Sequence, residues 1–231
     1  MFFWDPTFVL VLPAIILALY AQFKVQSTFR RYSEVRSSTG YTGAQAAAAL
    51  LQRQGINDVK IEPVPGPMSG MLSDHYDPRN KVLRLSEQVY GSDSLAALGV
   101  AAHETGHAVQ HRVGYAPLAL RSAIVPVAQF GTTAAWILFL LGLFLSRPGL
   151  MDLGILLFLG YVMFAIVTLP VEFNASARAV ELLQGQGMVL PQEAQGVRAV
   201  LNAAALTYIA AAAMAVLQLV RLIVLRNMRD D

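Results

Sequence analysis

The sequence predicts a mainly α-helical membrane protein, with about four transmembrane helices and a small α+β cytoplasmic unit carrying a His-Glu-x-x-His helix. Three observations predict it. Of 231 residues, 55% are apolar and only 14% charged, against about 25% charged in soluble globular chains. Mean hydropathy is +0.51. The apolar excess is also concentrated: 6–23, 123–145, 153–171 and 199–220 contain no Asp, Glu, Lys or Arg. Each run approaches or exceeds the roughly 17–25 residues that a helix needs to cross hydrocarbon.

The first run, 6–23, reads as an uncleaved anchor rather than a signal peptide. It lacks a basic leading region, and Ala18-Leu-Tyr-Ala-Gln22 offers no small-x-small cleavage site before Phe23 and Lys24. The polar body, 24–122, opens with Thr42-Gly-Ala-Gln45. That spacing is a capping box, and it starts an alanine-rich helix that Gly55-Ile-Asn57 stops. Val59–Val64 alternates as a strand does, turns are expected at Pro65-Gly-Pro67 and Ser69-Gly70, and Lys81–Leu85 follows the Asp77-Pro78 turn as a second strand. The reading is a helix with a β-hairpin. The 81–85 strand would offer an edge to an extended peptide.

After the runs at 123–145 and 153–171, the 172–198 segment leads to the alanine-rich run at 199–220. Residues 1–231 are read as one domain. Thirteen basic residues lie in the 24–122 and 172–198 segments, while Arg147, Arg221, Arg226 and Arg229 would face the other side. The positive-inside rule therefore puts those two segments in the cytoplasm and both termini outside. With no Cys, a disulfide scaffold, a thiolate metal site and a cysteine nucleophile are excluded. A net charge of +2 gives no argument for nucleic acid.

The chemistry concentrates in Leu95–His111. Ser92 or Ser94 can cap this segment, and Leu95, Leu98 and Ala102 recur at helical spacing, so His103, Glu104 and His107 belong to a helix. Residues i and i+4 share a face, which lets both imidazoles reach one zinc ion at about 2.0–2.1 Å. Glu104 points about 100° away around the helix. It sits beside the metal, where a carboxylate can take a proton from water and pass it to a leaving amine. With four His and seven Glu in the chain, the pattern arises by chance roughly two times in a thousand.

A catalytic zinc wants a third protein ligand. His111 shares the helical face, but it stands about 12 Å along the axis from His103, too far to meet the same ion. Glu172, the first acidic residue after the 153–171 run, is a better candidate, and helical spacing puts Ser176 on its face as a support for a ligand. On spacing alone, an interfacial carboxylate paired with Arg178 reads as well. His75 could donate to an oxyanion, as could Tyr76 or Tyr115; a plain turn histidine is the competing reading.

His103-Glu-Thr-Gly-His-Ala-Val-Gln-His111, Asp74-His-Tyr-Asp-Pro78 with Lys81–Ser86, and Pro170-Val-Glu-Phe-Asn-Ala-Ser176 together resemble the YugP-type neutral zinc metallopeptidases of bacterial membranes, over nearly the whole chain. The resemblance implies zinc on His103, His107 and Glu172, with Glu104 as the catalytic carboxylate. The pattern is also similar to gluzincins such as the HtpX-like and CAAX prenyl proteases, which carry Glu-x-x-x-Asp; here Ser176 stands at the Asp position. The expected function is a multi-pass endopeptidase of the bacterial cytoplasmic (inner) membrane. Its site would lie on the cytoplasmic side, and its substrates would be peptides or membrane proteins. Its surroundings are the lipid bilayer, with a homo-oligomer or a membrane partner subunit compatible with such a chain. Two other readings remain at this level: a zinc-stabilised membrane scaffold or adaptor, and a site-2-type intramembrane protease using Asp152.

Overall fold

The computed structural model describes residues 6–64 and 73–228; the expected turns at 65–67 and 69–70, and Arg229, lie outside them. A 3-10 turn at Pro6–Val11 leads into α1 (Leu12–Ser33). There follow α2 (Gly43–Arg53), β1 (Lys60–Pro63), β2 (His75–Asp77), β3 (Val82–Leu85), α3 (Glu87–Tyr90), α4 (Leu95–Arg112), α5 (Ala116–Phe144), α6 (Pro148–Gly185) and α7 (Glu193–Asn227). Contacts divide the chain into two compact units. One comprises Phe23–Leu118 and Val171–Ala205, the other Met1–Gln22, Ala119–Pro170 and Leu206–Asp231.

Among the described residues, four helices are long and apolar enough to cross a membrane: Pro6–Ser33, Ala116–Phe144, Pro148–Gly185 and Glu193–Asn227. Each is longer than the charge-free run that predicts it. The helix of the third run does not end where the charge-free run does, at residue 171, because α6 continues through Pro170 to Gly185. Within the apolar unit, Phe139, Met151, Phe158, Val162 and Leu222 form a core. Gly154 is required there: a Cβ would lie 2.8 Å from the Ala135 carbonyl, so α5 and α6 touch backbone to backbone. Asp152 accepts from Arg226 at 2.8 and 3.3 Å.

The other unit is built around α4. Ser94 caps it, accepting from Ala97 N–H at 3.2 Å, and Gly114 at φ +63° follows its end. Its alanines allow close packing on several sides. Ala96, Ala97, Ala101 and Ala108 join a core with Leu51 of α2 and Leu83 and Leu85 of β3. Leu95, Leu98 and Ala102 join a second core with Val180 and Leu183 of α6 and Val197 and Leu201 of α7. The capping box forms as expected, with Thr42 Oγ1 accepting from Gln45 N–H and Gln45 Oε1 from Thr42 N–H. Gly55 takes φ +67° at the stop.

The sheet corrects the hairpin expectation. Its order is β1-β3-β2, with β1 and β3 parallel and β2 antiparallel to β3. The β3 strand is paired on both sides, so it offers no edge to a peptide; the edge strand near α4 is the three-residue β2. Two strands joined by about twenty residues are not held to hairpin geometry, and β2 is too short to show a period.

Candidate metal centre

The i, i+4 pair on α4 brings the rings of His103 and His107 to a centroid separation of 4.8 Å at 86°. From α6, Glu172 Oε2 lies 3.2 Å from His103 Nε2 and 3.6 Å from His107 Nε2. The three donor atoms lie within 4.8 Å of one another. Tetrahedral zinc bonds of about 2.1 Å imply donor separations of roughly 3.4 Å, so this set fits the ion. Glu172 is 1% exposed and both imidazoles 12%, and a buried carboxylate needs such partners. Burial pulls the His107 pKa down, but its hydrogen bond to Glu172 and the nearby carboxylates more than offset this and hold it above the usual imidazole value.

The other ring nitrogens are also engaged. His103 Nδ1 is 3.1 Å from Ser176 Oγ, and His107 Nδ1 is 3.0 Å from Gln110 Oε1. With Nδ1 occupied on both rings, Nε2 is turned to the Glu172 carboxylate. Gly106 lets α6 come this close: a Cβ there would lie 2.7 Å from the Ala175 carbonyl oxygen. The glycine inside the motif is therefore a packing requirement.

Glu104 faces another way. Its carboxylate is buried, and Oε2 accepts the Tyr76 backbone N–H at 2.9 Å. On the edge strand β2, Tyr76 turns that N–H away from β3, while its hydroxyl meets His111 Nδ1 at 2.9 Å. Burial pushes the Tyr76 phenol above its ordinary value. Asp74, just before β2, accepts from Ser86 N–H at 2.6 Å and Ser86 Oγ at 3.2 Å. Burial pushes its carboxyl up to about 6, with the Glu104 charge adding, although the Ser86 hydrogen bonds oppose the rise.

Residues 7–227 match the family described as "Putative neutral zinc metallopeptidase". The chain belongs to this neutral zinc metallopeptidase family. It is also 47% identical over 223 residues to "Putative membrane protease YugP" of Bacillus subtilis (strain 168), across 96% of this chain and 97% of that protein. No solved structure matches the chain. With its four long apolar helices, it is a multi-pass membrane protein of the neutral zinc metallopeptidase family.

In this chain His103, His107 and Glu172 form the group among the described residues that could hold a metal ion. Asp152 is not part of it and instead pairs with Arg226. His75 is likewise elsewhere. It is exposed, with Nδ1 2.8 Å from the Ser73 carbonyl and Nε2 3.5 Å from Arg84 Nη1. Strand alternation puts it on the opposite face of β2 from Tyr76, so the oxyanion role expected for it has no geometric support. Sequence reasoning missed Gln110 and Asn174. The available signal was a glutamine three residues after a ligand histidine in a helix of alanine and valine, where a buried amide must find partners.

Proposed function

We propose that this chain is a zinc-dependent endopeptidase that hydrolyses peptide bonds of peptides or membrane proteins close to the bilayer. The observation that carries the proposal is the convergence of His103 Nε2, His107 Nε2 and Glu172 Oε2, with a separately held carboxylate, Glu104, one residue along the motif. His103, His107 and Glu172 would hold the ion. When bound, zinc supplies Lewis-acid chemistry, making water acidic enough to attack near neutral pH and polarising the scissile carbonyl.

The chain's own residues do the proton work. Glu104 Oε2 is held by Tyr76 N–H, which leaves Oε1 to take the proton from the attacking water. As the C–N bond breaks, Glu104 returns that proton to the leaving amine, and the water oxygen stays on the new carboxyl group. Residues 1–231 act as one metallopeptidase domain in this reading. The 24–122 and 172–198 segments face the cytoplasm of a bacterial inner membrane, supported by thirteen of the 17 basic residues falling there.

The test is metal content of the purified protein together with cleavage of a membrane-protein substrate, comparing wild type with Glu104→Gln. Bound zinc in both, with cleavage only in wild type, is the expected result. Zinc without any Glu104-dependent cleavage would replace the peptidase with a zinc-stabilised scaffold. Because the chain lacks cysteine, single-cysteine variants in 24–122 labelled from one side of sealed vesicles report the orientation directly.

A further inference from the structure

We infer that Gln110, locked by Val171, Asn174 and Arg178, is a positioning residue that fixes the tautomer of His107 and so presets its metal-facing nitrogen. The inference rests on the reading of His107 as a zinc ligand. Gln110 is wholly buried, and each of its amide atoms has a defined partner. Nε2 lies 2.8 Å from the Val171 carbonyl oxygen and 3.0 Å from Asn174 Oδ1, while Oε1 lies 3.0 Å from His107 Nδ1.

The polarity of this chain is set at two ends that cannot reverse. A backbone carbonyl only accepts, so the Gln110 atom facing Val171 is the NH2 group. A guanidinium only donates, and Arg178 Nε lies 2.8 Å from the Asn174 atom, so that atom is the oxygen, which in turn accepts from Gln110. The Gln110 carbonyl is thereby directed at His107, and Nδ1 must carry the hydrogen. In the neutral ring Nε2 is thereby left with its lone pair toward Glu172, as metal ligation requires, and only the protonated ring donates there.

His103 has no such lock. Its Nδ1 meets the Ser176 hydroxyl, which can donate or accept, so two tautomers compete on that ring. The two ligand histidines are therefore unequal: His107 is preset, and His103 is adjustable. Loss of the Gln110 amide is expected to cost more than loss of the Ser176 hydroxyl.

The experiment uses full-length protein carrying 15N-labelled histidine, of which there are four, metal-free and at a pH where the imidazoles are neutral. NMR reads the protonated ring nitrogen, with the His107 signal assigned from a His107→Ala spectrum, and competition with a chelating dye reads zinc affinity. Wild type should show His107 with the hydrogen on Nδ1. Gln110→Met, similar in shape but without the amide, should lose that signature and bind zinc roughly 10–100-fold more weakly. Asn174→Asp keeps an acceptor between Gln110 and Arg178 and should retain the signature and the affinity, whereas Asn174→Leu should lose both. A wild-type His107 hydrogen on Nε2 overturns the inference even if Gln110→Met fails to fold, and so does unchanged zinc affinity in a folded Gln110→Met. Failure of wild type to bind zinc would instead overturn the metal-centre reading, while the tautomer spectrum would still decide this one.

Discussion

Replacing Gly106 by Ala tests whether the α4–α6 contact sets the metal centre. The added Cβ would stand 2.7 Å from the Ala175 carbonyl oxygen, 3.2 Å from its Cα and 3.3 Å from its carbonyl carbon. These are backbone atoms, so no side chain can swing aside. Restoring ordinary contact requires α6 to move away by about 0.5–0.7 Å. Glu172 lies one turn before Ala175 and moves with it, while metal sites tolerate donor errors of about 0.2 Å. Overpacking costs about 1–3 kcal/mol, and the better helix propensity of alanine returns about 1 kcal/mol, so the fold survives with a net loss of about 0–2 kcal/mol. Zinc binding bears the larger effect, a loss of roughly 10–100-fold. Thermal unfolding of the metal-free protein and competition with a chelating dye measure the two separately. Gly149→Ala is the control, being helical with nothing within 4 Å of the added carbon. A Gly106→Ala protein that binds zinc within about twofold of wild type would refute the argument that this contact positions Glu172.

Glu172→Ala should abolish tight zinc binding, and Asp152→Ala should leave it unchanged because Asp152 is paired with Arg226; the opposite pattern in metal analysis would restore the intramembrane reading. Tyr76→Pro removes the N–H that holds Glu104 at an outward-facing position of an edge strand, where proline is tolerated. Compared with Tyr76→Ala, it should lower kcat about 10-fold or more with zinc retained, as steady-state kinetics would show. The Asp74 carboxyl, raised in the fold from 3.8 to about 6, binds more protons folded than unfolded, so its contribution is fully present below about pH 4 and lost as pH rises through about 6. Because the group is only partly buried, the change is on the order of 1–3 kcal/mol. Thermal midpoints from pH 4 to 7 should fall less steeply in Asp74→Asn than in wild type.

The apolar runs and the His103–His107 pair are legible because each depends on local composition or on the helix period, which a sequence displays directly. Glu172 is partly legible: its distance from a charge-free run marks it, but its meeting with α4 depends on Gly106 and Ala175, which no local pattern announces. The strand order is not legible, since parallel pairing of β1 and β3 is a long-range choice. His75 shows the same limit in reverse. Its place beside Asp74 and Tyr76 suggested chemistry, yet alternation on a three-residue strand sends its ring to Arg84 and leaves the backbone of its neighbour to meet Glu104. What meets Glu104 at β2 is a main-chain N–H, a group present at nearly every residue and therefore invisible as a sequence signal.

The 18 residues of α4 are enough to span a bilayer by length alone, and the reason they do not serve as a span bears on the chemistry. Thirteen of them are buried within their own unit, whereas only 22–28% of the most apolar stretch of each long helix is covered. Phe130 and Leu156 on α5 and α6 are 76% and 63% exposed, surface that water would penalise and lipid would not. Small residues explain the difference. Alanine and glycine let α2, the sheet, α6 and α7 approach α4, and only a helix enclosed by protein can hold His103, Glu104, His107 and Gln110 with a partner for each. In hydrocarbon the same four polar groups would each lack one, at a cost of several kcal/mol per unsatisfied group. Burial in protein is thus what allows this polar group of side chains to exist on an otherwise apolar helix.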